Sequence, residues 1–504
     1  MQKYLFLSLL FLFSLNLTYA SNQNNSKEIE DKVSKLNIPV INVVTVDGKE
    51  PTCISVDHPD GCIGTGAAEN NYVKGMVTIH ENGNLIFDSG KYKKNTSGMR
   101  IKVRGNSSAT IPYKSFKIKF EVKHDLFNRN NDKYKDKVWA LLNILSTRDL
   151  RTVVGFYTAQ QMGMEWEPEY KFVNLFVNGD YRGLYMLSET VKDSEGRCVM
   201  KDPTSLLFEA DPYWWNEDPE DPVIKTKHLP YAMGYTFKYP KLKVDDPILN
   251  DIKAYLDEFE DALYGGNDIS KYIDIKSFAT WILTHDLLGT LDGAGSNYYL
   301  IKDDFLGGNA VYNSKLRMGP LWDFDTIFER HDEWCTAHDI HLFYYQELFK
   351  RFDFVKEYYT QWMAIHNDIA PKVISFVEDF TAKYGAAIEE SRKLAPPYKD
   401  EWVTTIDDNL TEINNWFEER IPWMDKSVSD IMEAASITDI QEDTEIVSLT
   451  LYNIEGLVCG TFEGREATDI FYGRGKIAEL HPGVYIINAK CSNGTTKTRK
   501  YVKQ

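Results

Sequence analysis

Residues 99–122 read MRIKVRGNSSATIPYKSFKIKFEV, and this stretch decides the fold assignment. It predicts two strands joined by a loop rich in Gly, Ser, Thr and Pro. In the second strand apolar and polar side chains alternate, with Phe116, Ile118 and Phe120 on one face and Ser115, Lys117 and Lys119 on the other. A strand that is apolar on one side only predicts a sheet with one buried face.

Strand patterns continue on both sides of this stretch. Residues 38–45 (IPVINVVT) form a β-branched run typical of a buried strand. Residues 72–88 and 171–189 each read as two strands around a turn that contains Asn-Gly. Between them, residues 147–162 predict a helix with Thr147 as its N-cap.

The second half of the chain has a helical pattern instead. Residues 245–290 and 343–435 carry aliphatic and aromatic residues at spacings of three and four. Strands followed by helices are typical of the α+β class. We therefore expect a main domain over residues 38–435, with a strand-rich first lobe, a helix-rich second lobe and a cleft between them.

Both ends of the chain read as separate segments. Residues 1–20 combine a positive start, an apolar run and a small final residue, which predicts a secretory signal peptide. Residues 21–37 predict a flexible leader and residues 436–446 a linker. Residues 447–504 predict a short all-β module, a small β-sandwich with three turn signals. We expect an exported protein that is periplasmic, on the cell surface or secreted.

Composition and charge argue against two classes of protein, sequence-independent nucleic-acid binders and proteins that span a membrane. The 504 residues include 57 Lys and Arg and 75 Asp and Glu, giving a formal net charge of −18. This balance disfavours sequence-independent nucleic-acid binding, which needs cations to neutralise phosphates. No segment after the signal has 18 uninterrupted apolar residues, so no membrane span is expected in the mature chain.

The six cysteines leave two interpretations open. An even count in an exported protein permits disulfides, and Cys53 with Cys62 and Cys459 with Cys491 are the best candidate pairs. The alternative is six buried thiols. The chain has no C-x-x-C, which disfavours a zinc ribbon or a thioredoxin-like site.

The loop and basic strand within residues 99–122 form the first candidate site. Arg104, Ser107 and Ser108 lie in VRGNSS, and Lys117 and Lys119 follow on one strand face. Backbone N–H groups and hydroxyls can bond phosphate oxygens while Lys and Arg offset their charge. The alternative is a half-exposed strand with a solvated lysine face.

Two acidic stretches form the second and third candidate sites. DGAGSN at residues 292–297 places Asp292 five residues before Asn297, the interval of a kinase catalytic loop, although Asp, Gly and Asn occupy any turn. PLWDFD at residues 320–325 sets Asp323 and Asp325 within an apolar aromatic run. Such carboxylates suit Mg²⁺ or Mn²⁺, and they are also compatible with a solvated strand or a glycosidase acid and base.

Taken in order, these stretches resemble the CotH kinase family, found in spore coats and in many exported bacterial proteins. The resemblance extends over residues 38–427. It rests on VRGNSS, KSFKIKF, RDLR at 148–151, VNGDYRGLYMLSE, the 292–299 segment, LWDFD, and the stretches 347–362 and 414–425.

The resemblance implies an atypical protein-kinase-like fold and metal-dependent transfer of phosphate from ATP to Ser or Thr of a protein. Asp292 would be the catalytic aspartate, and Mg²⁺ or Mn²⁺ would be held by Asn297, Asp323 and Asp325. The nucleotide would contact Arg104, Ser107, Ser108, Lys117 or Lys119, and Glu189 on the adenine side.

Some features depart from ordinary kinases. No complete G-x-G-x-x-G and no His-Arg-Asp is found, since residues 290–292 read Thr-Leu-Asp. The predicted helix has no Glu before Gly163, so the usual Lys–Glu pair has no assignment.

The C-terminal stretch resembles a different family. LYNIEGLVC and ELHPGVYIINAKCSNGTTKTRKYV are similar to the sorting domain of the type IX secretion route. This implies contact with secretion machinery through residues 447–504. Two rival functions stay open: a surface binding or adhesion protein on a kinase-like scaffold, and carbohydrate processing.

Overall fold

A computed structural model describes most of the chain. The described residues are 26–144, 150–198, 200, 202, 204–291, 296–304, 313–331, 333–334, 343–395, 405–443, 446–471, 477, 480–492, 494 and 496–503. The chain divides into two compact units. The first contains Met1–Leu348 and Thr360–Asp425, and the second contains Phe349–Tyr359 and Lys426–Gln504.

The first unit begins with a sheet that closes on itself. Its strands are β1 (Val40–Thr45), β4 (Val73–Glu81), β5 (Asn84–Asp88), β6 (Met99–Arg104), β7 (Ser115–His124), β8 (Asp136–Asn143), β9 (Tyr170–Val177) and β10 (Asp180–Ser188). The order is β1-β9-β10-β8-β7-β6-β4-β5, and β1 also pairs with β4. Among the described residues, seven strands therefore form a ring and β5 extends it. A separate hairpin joins β2 (Ile54–Asp57) and β3 (Thr65–Ala68).

Alternation along the strands explains where the core lies. In β6 the residues Met99, Ile101 and Val103 are buried, whereas the basic residues between them are half-buried. Phe116, Ile118 and Phe120 of β7 are buried in the same cluster. The prediction of a strand pair with one apolar face is confirmed, and its basic residues project away from the core.

A second, five-stranded sheet follows in the first unit. It contains β11 (Leu206–Asp211), β12 (Val223–Ile224), β13 (Gly234–Tyr239), β14 (Tyr298–Lys302) and β15 (Leu316–Met318), in the order β12-β13-β11-β14-β15.

Eight α-helices within the described residues precede Ile446. They are α1 (residues 26–33), α2 (Arg151–Gln161), α3 (Ile248–Tyr264), α4 (Ile275–Leu288), α5 (Tyr345–Phe349), α6 (Phe352–Ile365), α7 (Ile369–Leu394) and α8 (Ile406–Asp443). The α+β class is confirmed, with helices where residues 245–290 and 343–435 predicted them. Within the described residues, no helix has the length and apolarity that a membrane crossing requires.

The second unit contains a four-stranded antiparallel sheet. Its elements are β16 (Ile446–Asn453), β17 (Val458–Glu463), α9 (Gly464–Phe471), β18 (Gly483–Cys491) and β19 (Thr496–Lys503), with strand order β17-β16-β18-β19. We expected an all-β sandwich, but the described residues form one sheet with a helix. Ala467, Ile470 and Phe471 of α9 are buried with apolar residues of the strands, so α9 covers the sheet where a second sheet was expected.

Two segment boundaries differ from expectation. Residues 26–33 of the expected flexible leader are helical, because Val33 is buried against Val40, Phe176 and Tyr181. Helix α8 continues to Asp443 and includes most of the expected linker. Thr147, the expected N-cap of α2, lies outside the described residues.

The cysteine pairs do not form. Cys53, Cys62, Cys198, Cys459 and Cys491 are free thiols, and Cys335 lies outside the described residues. Strand β16 separates the strands that carry Cys459 and Cys491, and these two residues align with opposite ends of β16. The Cys53 thiol donates instead to the backbone oxygen of Ala109. The alternative of buried thiols also fails in part, because Cys459 is exposed.

Candidate functional site

A cavity of about 830 Å³ in the first unit brings most of the candidate residues together. Residues of both sheets line it. The candidates among them are Arg104, Ser107, Ser108, Lys117, Asn297, Asp323 and Asp325, joined by Lys102, Glu209, Asp211, Glu217, Lys238, Tyr299 and Trp322. A cavity of this size lies within the range of small-molecule and cofactor sites.

Cations concentrate on the wall formed by β6 and β7. Lys102 is directly opposite Lys117 in the strand register. Burial, together with the neighbouring charges of Lys102, Arg104 and Lys238, lowers the pKa of Lys117 to about 8. Among the described residues neither Lys102 nor Lys117 has an ion-pair partner. This wall is therefore a cluster of like charges, and a bound anion would reduce the repulsion between them.

Arg104 extends the cationic wall toward the second sheet. Its guanidinium lies 4.7 Å from the centre of the Trp322 ring, within cation–π distance. Burial lowers the pKa of Arg104, and the nearby Tyr299, Asp323 and Glu209 oppose that shift. The wall thus approaches the segment that carries the candidate metal ligands.

The serine loop follows Arg104 directly. A short 3₁₀ turn, Ser107–Thr110, exposes the Ser107 and Ser108 side chains to the cavity. Gly105 has φ +103°, a backbone conformation that residues with a Cβ rarely adopt, so this position favours glycine. Lys114 secures the far end of the turn, because its Nζ donates to the Ala109 oxygen at 2.7 Å.

Lys119, the other lysine of the basic strand face, is not in the cavity. It is opposite Arg100, whose Nε lies 3.0 Å from Glu121 Oε1. Burial lowers the pKa of Lys119, while Glu121 opposes the shift. Between the two lysines proposed for phosphate binding, the structure therefore favours Lys117.

Asn297 and Asp323 meet at the cavity floor. The Asn297 Nδ2 atom lies 3.4 Å from Asp323 Oδ2. Both residues have left-handed backbones, with φ +64° and +70°. Asn and Asp tolerate this conformation better than other non-glycine residues, which explains their presence just before β14 and shortly after β15.

Backbone hydrogen bonds fix the floor from below. The Leu291 N–H donates to the Thr326 oxygen at 3.0 Å, and the Phe328 N–H donates to the Leu288 oxygen at 2.8 Å. Arg151 is buried and donates to the Asp325 oxygen at 3.3 Å, which ties α2 to this segment. Residues 292–295 lie outside the described residues, so the role of Asp292 stays a prediction.

The donor set at the floor fits a hard divalent cation. Asn297, Asp323 and Asp325 offer amide and carboxylate oxygens, the ligands that Mg²⁺ and Mn²⁺ prefer. No cluster of three or more His, Cys, Asp and Glu side chains suited to a metal occurs in the described ranges. A metal bound here would therefore depend on a mixed Asn and Asp set.

The opposite wall contains residues that the sequence analysis missed. Lys238 Nζ lies 3.1 Å from Glu209 Oε2 and 3.3 Å from Glu217 Oε1. Burial lowers the pKa of Lys238, but these carboxylates outweigh it and leave the pKa well above its ordinary value. Burial, with the nearby charge of Glu209, raises the pKa of Asp211 to about 7. A Lys–Glu pair thus lines the cavity, although no helix supplies it.

Glu189, expected on the adenine side of a nucleotide, lies away from this cavity. Its Oε1 atom lies 2.7 Å from Arg129 Nη2 and the side chain is 1% exposed. Burial raises the pKa of Glu189, and Arg129 and Arg197 oppose that shift. Glu189 does not line the cavity. The strand-end ion pair, the alternative considered for this residue, is the arrangement found.

Comparison with known families gives one match. The model for CotH kinase protein matches residues 101–424, more than half of the chain. The chain belongs to the CotH kinase family. The matched CotH region begins within β6, ends within α8 and includes the two charged walls and the floor described above. No curated protein matches the chain.

Proposed function

We propose that this protein is an exported atypical protein kinase that transfers the γ-phosphate of ATP to Ser or Thr of a protein substrate. Membership of the CotH family indicates a protein-kinase-like function. The acceptor, the use of Mg²⁺ or Mn²⁺ and the export are the proposed part.

One observation supports phosphate binding above the others. Lys102 and Lys117 are opposite each other on paired strands, with Arg104 beside them and no ion-pair partner for either lysine among the described residues. Like charges directly opposite destabilise a sheet. A polyphosphate bound in the cavity would offset the repulsion between the two lysines, because both ammonium groups would then attract its negatively charged oxygens.

The residues that line the cavity would have two roles in phosphoryl transfer, binding phosphate and binding the metal. Lys117, Lys102 and Arg104 would hold the phosphate oxygens, and the Ser107 and Ser108 hydroxyls would donate to them. Asn297 and Asp323 would hold the metal, with Asp325 beside them. A bound divalent cation neutralises charge that develops on the transferred phosphoryl group.

Asp292 would complete the site. The resemblance assigns it the proton of the acceptor hydroxyl, which must leave as the new phosphate ester forms. Leu291, the last described residue before it, donates its N–H to the backbone oxygen of Thr326, one residue after Asp325.

Export is proposed from the two ends of the chain. The signal-like residues 1–20 predict passage out of the cytoplasm, and the protein would act in the periplasm, on the cell surface or after secretion. Residues 447–504 would contact the secretion machinery.

Transfer of radiolabelled γ-phosphate tests the proposal. The purified protein is incubated with labelled ATP, Mg²⁺ or Mn²⁺, and acceptor proteins such as dephosphorylated casein. We expect labelled Ser or Thr with wild type and with Lys119→Ala, and a loss of at least a hundredfold with Asp323→Asn, which keeps the left-handed backbone. No labelling with any acceptor would favour the rival binding protein on a kinase-like scaffold.

A further inference from the structure

Tyr213 connects the two charged walls of the large cavity. It follows β11, which carries Glu209 and Asp211 of the opposite wall, and it lines the cavity itself. The Tyr213 hydroxyl oxygen lies 3.3 Å from the hydroxyl oxygen of Ser107, which belongs to the serine loop after the cationic wall. Tyr213 therefore contacts one of the residues that we propose for phosphate binding.

Neighbouring contacts hold Tyr213 in this position. Its backbone N–H donates to Asp211 Oδ1 at 2.7 Å. Its ring packs against the backbone of Gly64, directly before β3, so closely that a Cβ on residue 64 would lie 2.2 Å from Tyr213 Cε1. Asn216 Nδ2 lies 3.4 Å from Asn106 Oδ1, which joins the same two segments a second time. The fold itself thus places the Tyr213 hydroxyl against the serine loop.

The chemistry of the two hydroxyls fixes the direction of the hydrogen bond when phosphate is bound. Ser and Tyr hydroxyls each carry one proton and can also accept a hydrogen bond. When Ser107 donates its proton to a phosphate oxygen, its own oxygen can still accept from Tyr213. A hydrogen bond accepted by Ser107 polarises its O–H group and strengthens the bond that Ser107 donates. The 3.3 Å separation is long for two hydroxyls, and such bonds in unliganded sites often shorten when the ligand binds.

We propose that Tyr213 is a positioning residue for phosphate binding. The Tyr213 hydroxyl donates to the Ser107 hydroxyl, which in turn donates to a phosphate oxygen. This inference rests on the proposed function, and it adds a residue outside the motifs from which the site was predicted. Tyr213 acts through Ser107 and does not contact the phosphate, so loss of its hydroxyl should weaken binding without abolishing it.

Calorimetric titration of the purified protein with Mg²⁺ and two probes, ATP and inorganic tripolyphosphate, tests this chain of hydrogen bonds. Tyr213→Phe removes only the hydroxyl, and we expect it to weaken both probes about three- to tenfold, the effect of one hydrogen bond. Tyr231→Phe is the matched control and should bind both probes like the wild type. Tyr231 packs against Gly61 in the turn of the β2–β3 hairpin but does not line the cavity. A loss of affinity for ATP alone in Tyr213→Phe would place Tyr213 on the nucleoside and contradict the inference.

A double-mutant cycle separates positioning from a general structural effect. Ser107→Ala should weaken both probes, and adding Tyr213→Phe to it should cause no further loss, because the chain of hydrogen bonds is already broken. Additive losses would show that Tyr213 does not act through Ser107. Wild-type affinity in Tyr213→Phe would overturn this inference alone, whereas no binding of either probe by the wild-type protein would overturn the proposed function with it.

Discussion

Lys102 on β6 is directly opposite Lys117 on β7, and Arg104 lies on the same face of β6. A pair of like charges in this register costs a sheet about 0.2–1 kcal/mol. Arg100 and Lys119 are also opposite each other, but Glu121 offsets their charge through its ion pair with Arg100. Only the pair that faces the cavity lacks such compensation among the described residues.

Replacing Lys117 should weaken ATP binding without lowering the free energy of unfolding. Lys117→Met removes the repulsion with Lys102, so the free energy of unfolding should stay constant or rise by up to about 1 kcal/mol. The affinity for ATP should fall at least tenfold because a phosphate contact is lost. Denaturant unfolding and ATP titration measure the two quantities.

Lys119→Met provides the matched control on the same strand face. Its ATP affinity should equal that of wild type, because Lys119 lies outside the cavity. A larger loss of affinity in Lys119→Met than in Lys117→Met would reverse the assignment of the phosphate lysine.

The lowered pKa of Lys117 should make the free energy of unfolding depend on pH. This pKa is about 8 in the folded protein and ordinarily 10.5, so between these values only the unfolded chain keeps the proton. The contribution of Lys117 to the free energy of unfolding should therefore rise with pH across this window.

ATP binding should show the opposite trend. Affinity should fall as pH rises through about 8, because Lys117 loses the charge that attracts phosphate. Lys117→Arg keeps its charge and should flatten the profile. A profile of the same slope in both proteins would show that another group titrates.

The Lys238–Glu209 pair should stabilise the cavity wall. Lys238→Met leaves the Glu209 carboxylate, which is 10% exposed, without its cation. We expect a loss of about 1–3 kcal/mol, below the value for a fully buried pair because Lys238 is 28% exposed. The double variant Lys238→Met with Glu209→Gln should recover part of this loss in chemical denaturation. Additive losses would show that the two groups do not interact.

Glu189 should matter for folding and not for nucleotide binding. Glu189→Gln weakens a buried ion pair with Arg129 and should lower the free energy of unfolding by about 1–3 kcal/mol. The ATP dissociation constant, measured by calorimetry, should be unchanged because Glu189 lies outside the cavity. A tenfold rise in that constant would restore Glu189 to the nucleotide site.

Local patterns predicted much of the fold. The alternation in residues 99–122 located β6 and β7, and the turn signals located the β4–β5 and β9–β10 hairpins. The closure of the sheet by β1 and β4 was not predictable, because it depends on pairing between residues far apart in the chain. Helix α9 was missed because its eight residues lie between strand patterns and are stabilised by packing on the sheet.

The site residues that lie in short recognisable motifs could be predicted from the sequence. Arg104, Lys117, Asn297 and Asp323 were all identified from short stretches, and the structure places them around one cavity. Glu209 and Asp211 were missed, although their two-residue spacing in LLFEAD puts both on one face of a buried strand. The distinction between Lys117 and Lys119 required the position of Glu121, which sequence spacing does not give.

Thermal unfolding with nucleotide and metal tests the central claim most directly. ATP with Mg²⁺ or Mn²⁺ at a hundred times its dissociation constant should stabilise the wild-type protein by about 2.7 kcal/mol. This stabilisation should require the metal, disappear in Asp323→Asn and persist in Lys119→Met. No shift with any metal and nucleotide, or an equal shift in Asp323→Asn, would contradict the assignment of the cavity as a metal-dependent nucleotide site.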